Sequence, residues 1–246
     1  MSMEMNQVVA VVLAGGFGRR VQHLLPDVPK PMAPVAGRPF LEWLVRYLAR
    51  QGVRKVVLST GHLAEVVERH FQSQPVRGVM ARCVAETVPL GTAGGFLHAA
   101  RVSGERPPSW LVLNGDSLVF ADLATMARAL DDAAVAGVML GRDVPDASRY
   151  GTLVSDATGD LLRFAEKQPG RGVISAGVYL LRHSTLDAFP DRSPLSFETE
   201  VFPALLARRA RLRVVVTSAP FLDVGTPETL PQAEAFIRAN LEQFQA

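Results

Sequence analysis

An unbroken apolar run at residues 8–13 opens directly into Leu13-Ala14-Gly15-Gly16-Phe17-Gly18-Arg19-Arg20, and this junction narrows the fold more than any other feature. A valine-rich run without polar alternation belongs to a strand covered on both faces, as in a parallel sheet. Three glycines at its exit let the backbone turn sharply and bring bare amides against an anion, where a Cβ would intrude. The spacing is not that of a Walker loop, because no Lys-Ser/Thr pair follows the last glycine. Nor is it a dinucleotide fingerprint, since no helical run opens straight afterwards. Pro26-Asp27-Val28-Pro29-Lys30-Pro31 comes instead, a stiff segment that fixes the Lys30 ammonium without a helix. Taken alone, the glycines also suit a plain strand-exit turn beside a solvated arginine pair. Together with Arg20 and Lys30 they favour a triphosphate site.

Beyond the loop, strand and helix patterns alternate. Residues 40–50 place Leu41, Leu44, Val45 and Leu48 at helical spacing, and Gly52 ends that helix. Strands are expected at 55–59, 79–84 and 110–113, with helices at 64–71 and 93–101. This order predicts an α/β fold, Rossmann-like, with a mostly parallel sheet, right-handed crossovers and helices on both faces. A helix at 122–135 and a strand at 138–142 follow. Then the rhythm changes: 152–155, 161–165 and 174–181 read as closely spaced strands, a small antiparallel β extension. Helices are expected at 184–189 and 199–208, and a strand at 212–217. A last helix should start at Thr226-Pro227-Glu228, with a capping hydroxyl, proline at the first position and then an acid, and run to about 241. One domain over 1–246 is expected, with a nucleotide-binding half at 1–140 and a sugar-binding half at 141–246.

Composition excludes several classes. The formal charge of the 246 residues is only +2, so the pI near 9.0 reflects arginine rather than a basic surface, and no nucleic-acid partner is expected. The apolar run at 8–14 is too short to cross a membrane and no positive charge precedes it, so no membrane association or export is expected. One cysteine, Cys83, cannot form an intramolecular disulfide, which suits a reducing, cytoplasmic setting. Of the 26 basic residues only Lys30, Lys55 and Lys167 are lysine. In so arginine-rich a chain, a lysine inside a motif points to a compact phosphate ligand.

Two acids stand at the ends of apolar runs with small neighbours: Asp116 in Asn114-Gly115-Asp116, and Asp223 in Asp223-Val224-Gly225-Thr226. Open α/β sheets bind ligands at the carboxyl ends of their strands. Mg²⁺ takes one or two carboxylates and completes its shell with phosphate oxygens and water, which this pair suits. A simple turn remains the alternative for Asp116. For Asp223 the capping role is already filled by Thr226.

Assembled, these residues resemble the sugar-1-phosphate nucleotidyltransferases over nearly the full length. Leu13-Ala14-Gly15-Gly16-x-Gly18-x-Arg20 with Lys30-Pro31-Met32 is that family's signature, and Pro89-Leu90-Gly91-Thr92-Ala93-Gly94, Asn114-Gly115-Asp116, Tyr150-Gly151, Glu166-Lys167 and Asp223-Val224-Gly225-Thr226-Pro227 recur in its order. Val28-Pro29-Lys30-Pro31-Met32-Ala33-Pro34 and Ser196-Phe197-Glu198-Thr199-Glu200 look closest to the D-glycero-D-manno-heptose 1-phosphate guanylyltransferases, which make GDP-heptose for surface polysaccharides. The mannose-1-phosphate enzymes share much of the pattern. The resemblance implies GTP and a sugar 1-phosphate as substrates and Mg²⁺ as cofactor. Arg20, Lys30, Asp116 and Lys167 would be catalytic, with Asp116 and Asp223 on the metal. Leu13, Ala14, Gly15, Gly16, Gly18, Glu86, Gly91 and Thr92 would join Arg20 and Lys30 around the nucleotide. Gly151, Glu166, Lys167, Ser175, Gly177 and Glu198 would hold the sugar. Two departures stand out: Arg19 replaces the usual threonine or serine, and Gln168 separates Glu166-Lys167 from Pro169. A homodimer is left open.

The chemistry fits the residue inventory. A sugar 1-phosphate is largely dianionic at neutral pH and needs no general base, and no nucleophile–histidine pairing is apparent. Positioning and charge neutralisation would supply the acceleration. Two other classes compete: a nucleotide-sensing module without catalysis, which loss of Lys30 or either aspartate would have favoured, and an oxidoreductase, which the glycine spacing disfavours.

Overall fold

The computed structural model describes residues 3–245 except 17, 19, 26 and 166–168. The first apolar run becomes β1 (Val9–Ala14). A short hairpin, β2 (Pro34–Val35) and β3 (Arg38–Pro39), feeds α1 (Phe40–Arg50), followed by β4 (Lys55–Thr60), α2 (Ala64–Ser73), β5 (Met80–Ala85), α3 (Thr92–Ser103) and β6 (Ser109–Asn114). The later part holds β7 (Ser117–Val119), α4 (Leu123–Ala129), β8 (Val135–Val144), β9 (Thr152–Ser155), β10 (Leu161–Ala165) and β11 (Gly172–Arg182). Last come α5 (Phe202–Ala207), β12 (Arg211–Thr217), β13 (Phe221–Asp223) and α6 (Gln232–Arg238).

β1 lies inside the sheet, parallel to β4 on one side and to β6 on the other, and β5 extends it beyond β4. β11 runs antiparallel to β6 and to β8, while β12 adds to β8 in parallel. β9 and β10 append to the early part of β11, forming the expected antiparallel extension. Side chains alternate across β1. Ala10 and Val12 join a core cluster with α1, α4 and α6, whereas Val9 and Val11 join a second one with α3 and α5. Helices therefore cover both faces, which is why the strand reads as continuously apolar. Among the described residues, no helix is long and apolar enough to cross a membrane.

Four expected helices come out differently. The 122–135 helix stops at Ala129: Asp132 Oδ1 accepts from Ala134 N at 3.0 Å, a local turn that competes with helix, and Val135 already belongs to β8. The 226–241 helix does not start at Thr226, whose hydroxyl pairs with that of Thr229 at 3.2 Å. Pro231 has no N–H to continue that turn, so α6 begins at Gln232 and ends at Arg238. In 199–208, Pro203 likewise lacks the N–H that would bond back to Thr199, and a wide turn over Phe197–Val201 precedes the shorter α5. The 184–189 segment is a tighter 3₁₀ helix at His183–Ala188. Arg211 and Arg213 lie on β12 and pair with Asp160 at 2.9 and 2.7 Å.

Candidate functional site

The carboxyl ends of β1, β5 and β6 open onto a cleft of about 460 Å³. All ten residues expected around a nucleotide line it: Leu13, Ala14, Gly15, Gly16, Gly18, Arg20, Lys30, Glu86, Gly91 and Thr92. Asp116 and Gly225 line it too. The glycines have distinct steric reasons. Gly18 has φ of +58°, and a Cβ there would sit 2.8 Å from the Lys30 Cβ, so the lysine stem packs directly on the loop. A Cβ on Gly15 would meet Glu86 Oε1 at 2.9 Å. Gly16 faces open space. Gly91, with φ of +79°, would drive a Cβ to 2.5 Å from Leu195 O.

Lys30, whose side chain is 9% exposed, places Nζ 2.5 Å from Asp116 Oδ2. Glu86 is held on both oxygens: Ser59 Oγ donates to Oε1 and Leu90 N to Oε2, each at 3.1 Å.

Asp223 is brought to Asp116 by a device that the sequence reading missed. β7 and β13 form a two-stranded antiparallel ribbon that pairs Asp223 with Ser117, and Val224 N donates to Asp116 O at 2.9 Å. Burial pushes the Asp223 carboxyl above the usual range, and the charge of Asp116 adds to this; Lys30 and Arg20 pull the other way. Its Oδ1 also accepts from Gly225 N at 2.7 Å, so Asp223 does shape a turn, contrary to the expectation that Thr226 had taken the local capping role. Among the described residues no group of three or more His, Cys, Asp or Glu is arranged around a metal. Asp116 and Asp223 are neighbouring carboxylates, oxygen donors of the kind that could hold a divalent cation.

A second cavity of about 840 Å³ adjoins the first, sharing Arg20 and Asn114 with it. Gly151, Ser175, Gly177 and Glu198 line it, together with Asp223. Glu166 and Lys167, expected here, lie outside the described residues, as do Arg19 and Gln168. Gly151 is needed because a Cβ would strike the Phe164 ring at 2.4 Å, and Gly177, at φ +71°, because it packs on Asn114. Glu198 is held in place by three hydroxyls, those of Thr92, Ser196 and Tyr179, all of which donate to it.

Asn114, Arg149 and Tyr179 are among the lining residues given no role from sequence. Asn114 bridges the cavities, and its place in Asn114-Gly115-Asp116 was the available signal. Arg149 precedes the Tyr150-Gly151 motif. Tyr179 sits in an apolar strand pattern and is buried, so nothing in the sequence separates it from a core aromatic.

A family model described as nucleotidyl transferase matches residues 9–240. The chain is 37% identical over 241 residues to a mannose-1-phosphate guanylyltransferase of Mycobacterium tuberculosis, covering 95% of this chain and 65% of that one. It is 31% identical over 221 residues to a D-glycero-alpha-D-manno-heptose 1-phosphate guanylyltransferase of Campylobacter jejuni, covering 89% of this chain and 95% of that one. Among solved structures, HddC from Yersinia pseudotuberculosis complexed with GMP-PN superposes with a TM-score of 0.80 at 30% identity, over 93% of this chain and 98% of that one.

Proposed function

The chain belongs to the nucleotidyl transferase family, and from that premise we propose that it transfers GMP from GTP to a sugar 1-phosphate, D-glycero-α-D-manno-heptose 1-phosphate, releasing pyrophosphate. The observation that carries this reading is the pair of adjoining cavities: Asp116 lines one, Asp223 the other, and Arg20 and Asn114 line both. Such a joint brings two phosphorylated substrates together where opposite and like charges are already arranged. The guanine and heptose assignments draw on the Campylobacter relative, which the chain covers nearly end to end. Mannose 1-phosphate is the second reading, favoured by the higher identity to the mycobacterial enzyme, of whose length the chain spans 65%.

We assign the nucleotide to the half at 1–140 and the sugar to the half at 141–246. In the proposed reaction a phosphate oxygen of the sugar 1-phosphate attacks the α-phosphorus of GTP. A new P–O bond forms as the bond to the bridging α–β oxygen breaks, and pyrophosphate takes the electron pair. No proton needs to be removed from the nucleophile. Arg20 and Lys30 supply positive charge to the triphosphate and the departing pyrophosphate, while the bare glycine loop lets the backbone approach. Asp116 and Asp223 would hold Mg²⁺, which when bound neutralises phosphate charge and orients the oxygens. Lys167 and Glu166 complete the proposed sugar side of a cytoplasmic enzyme.

Pyrophosphate release measured across a matrix of nucleoside triphosphates and sugar 1-phosphates tests this. GTP with a manno-configured heptose 1-phosphate should give the highest kcat/KM. A pyrimidine triphosphate preferred over GTP would overturn the guanylyl assignment, and mannose 1-phosphate preferred over the heptose would establish the second reading.

A further inference from the structure

Thr92 is the first residue of α3 and lines the nucleotide-side cleft, yet its hydroxyl is spent on the other cavity. A seam of hydrogen bonds joins the start of α3 to the chain at 195–198. Leu195 O accepts from Ala93 N and Gly94 N at 3.0 and 3.1 Å, and Leu195 N donates to Leu90 O at 2.8 Å. Phe197 N donates to Thr92 Oγ1 at 2.9 Å, and that hydroxyl passes its single proton to Glu198 Oε2 at 3.1 Å. Ser196 Oγ donates to the same oxygen at 2.9 Å.

Glu198 lines the second cavity, and with Oε2 taken twice Oε1 is the oxygen that keeps acceptor capacity. There the buried Tyr179 hydroxyl donates at 3.3 Å and itself lies 3.2 Å from Ser175 Oγ. A carboxylate oxygen has two acceptor positions, so Oε1 keeps one for a further donor. The only protons a sugar ring offers such an oxygen are those of its hydroxyls.

We propose that Thr92 is a positioning residue for sugar recognition: by fixing Oε2 of Glu198, its hydroxyl turns Oε1 toward a hydroxyl of the sugar 1-phosphate. This rests on the reading that the Glu198 cavity takes the sugar. A side chain in the nucleotide cleft thus sets affinity for the other substrate. The seam makes the effect local, because Thr92 and Glu198 are carried on segments bonded to each other rather than on separate loops.

Thr92→Val keeps the branched shape and removes the hydroxyl, and Thr92→Ser restores it. Thr92→Val should raise the KM for the sugar 1-phosphate about 10-fold while the KM for GTP stays within about twofold, and Thr92→Ser should return the sugar KM to near the wild-type value, as expected for one hydrogen bond to a charged group. A rise in the GTP KM alone, or an unchanged sugar KM, would overturn the proposal. If Thr92→Val fails to fold, Glu198→Gln serves instead: it should raise the sugar KM, and an unchanged value would overturn the proposal equally. Calorimetry on wild type separates the two levels of the account. Wild type that binds no sugar 1-phosphate would remove the functional reading and this inference with it. Wild type and Thr92→Val binding the sugar equally well would remove this inference alone.

Discussion

Lys30 Nζ stands 2.5 Å from Asp116 Oδ2, an ion pair between residues 86 positions apart that closes the glycine loop over the end of β6. The lysine stem is fixed by its packing on Gly18, so the ammonium is held against the aspartate in the wall of the cleft.

Lys30→Met should cost about 1–2 kcal/mol of stability, a modest figure because Asp116 is partly solvated. Turnover with GTP should drop roughly 10²-fold, by analogy with losing one preorganised charge donor, while sugar 1-phosphate affinity stays near normal. The uncompensated aspartates should also make Mg²⁺ raise the melting temperature more in the variant than in wild type. Thermal melts with and without Mg²⁺ check this, and equal shifts would contradict it.

Asp223→Asn should separate stability from activity. The folded pKa of Asp223 is raised, so the folded protein holds that proton more tightly than the unfolded chain. Its stabilising contribution is present below the ordinary carboxylate range and is lost as pH rises through the folded value. At neutral pH the metal-free variant should therefore melt at or above the wild-type temperature, while turnover falls roughly 10²-fold. Asp116→Asn should lose turnover similarly. Calorimetric melts between acidic and neutral pH, beside initial rates, give both quantities.

Gly91→Ala and Gly16→Ala should fail differently. At Gly91 the left-handed backbone and the carbonyl of Leu195, 2.5 Å from the new Cβ, should together cost about 1–3 kcal/mol. Gly16 faces open space, so its variant should fold normally and lose only nucleotide affinity where the ligand must approach. Melts paired with GTP titrations distinguish the two.

Much of this arrangement was legible in the sequence where one signal dominated. The unbroken apolar run before Gly15 announced an inner parallel strand, and the helical spacing of Leu41, Leu44, Val45 and Leu48 gave α1 to its ends. The glycine and lysine motifs named the residues that share the first cleft. What stayed hidden depends on partners distant in sequence. The β7–β13 ribbon is three residues a side, too short for any periodicity, yet with the Val224 N–Asp116 O bond it sets Asp223 beside Asp116. Tyr179 looks like any core aromatic until its hydroxyl meets Glu198. Thr226 carries a helix-start pattern that Pro231 overrides five residues later.

Base choice should run through Glu86. Guanine offers N–H donors at positions where adenine offers none, and acceptors left unpaired cost about 1–3 kcal/mol each. GTP should therefore be favoured over ATP by roughly 10-fold or more in kcat/KM, and Glu86→Gln should narrow that ratio. Ser59 and Leu90 already bond the carboxylate, so the variant keeps its anchors and the comparison reads selectivity rather than folding.

The most direct test follows the phosphorus atoms of GTP through one turnover with the sugar 1-phosphate and Mg²⁺. Label in the α-phosphate should appear in a GDP-sugar, and label in the γ-phosphate should appear only in pyrophosphate. γ-Label found on the sugar, or α-label that stays in GTP while the protein is folded and both substrates are bound, would contradict nucleotidyl transfer.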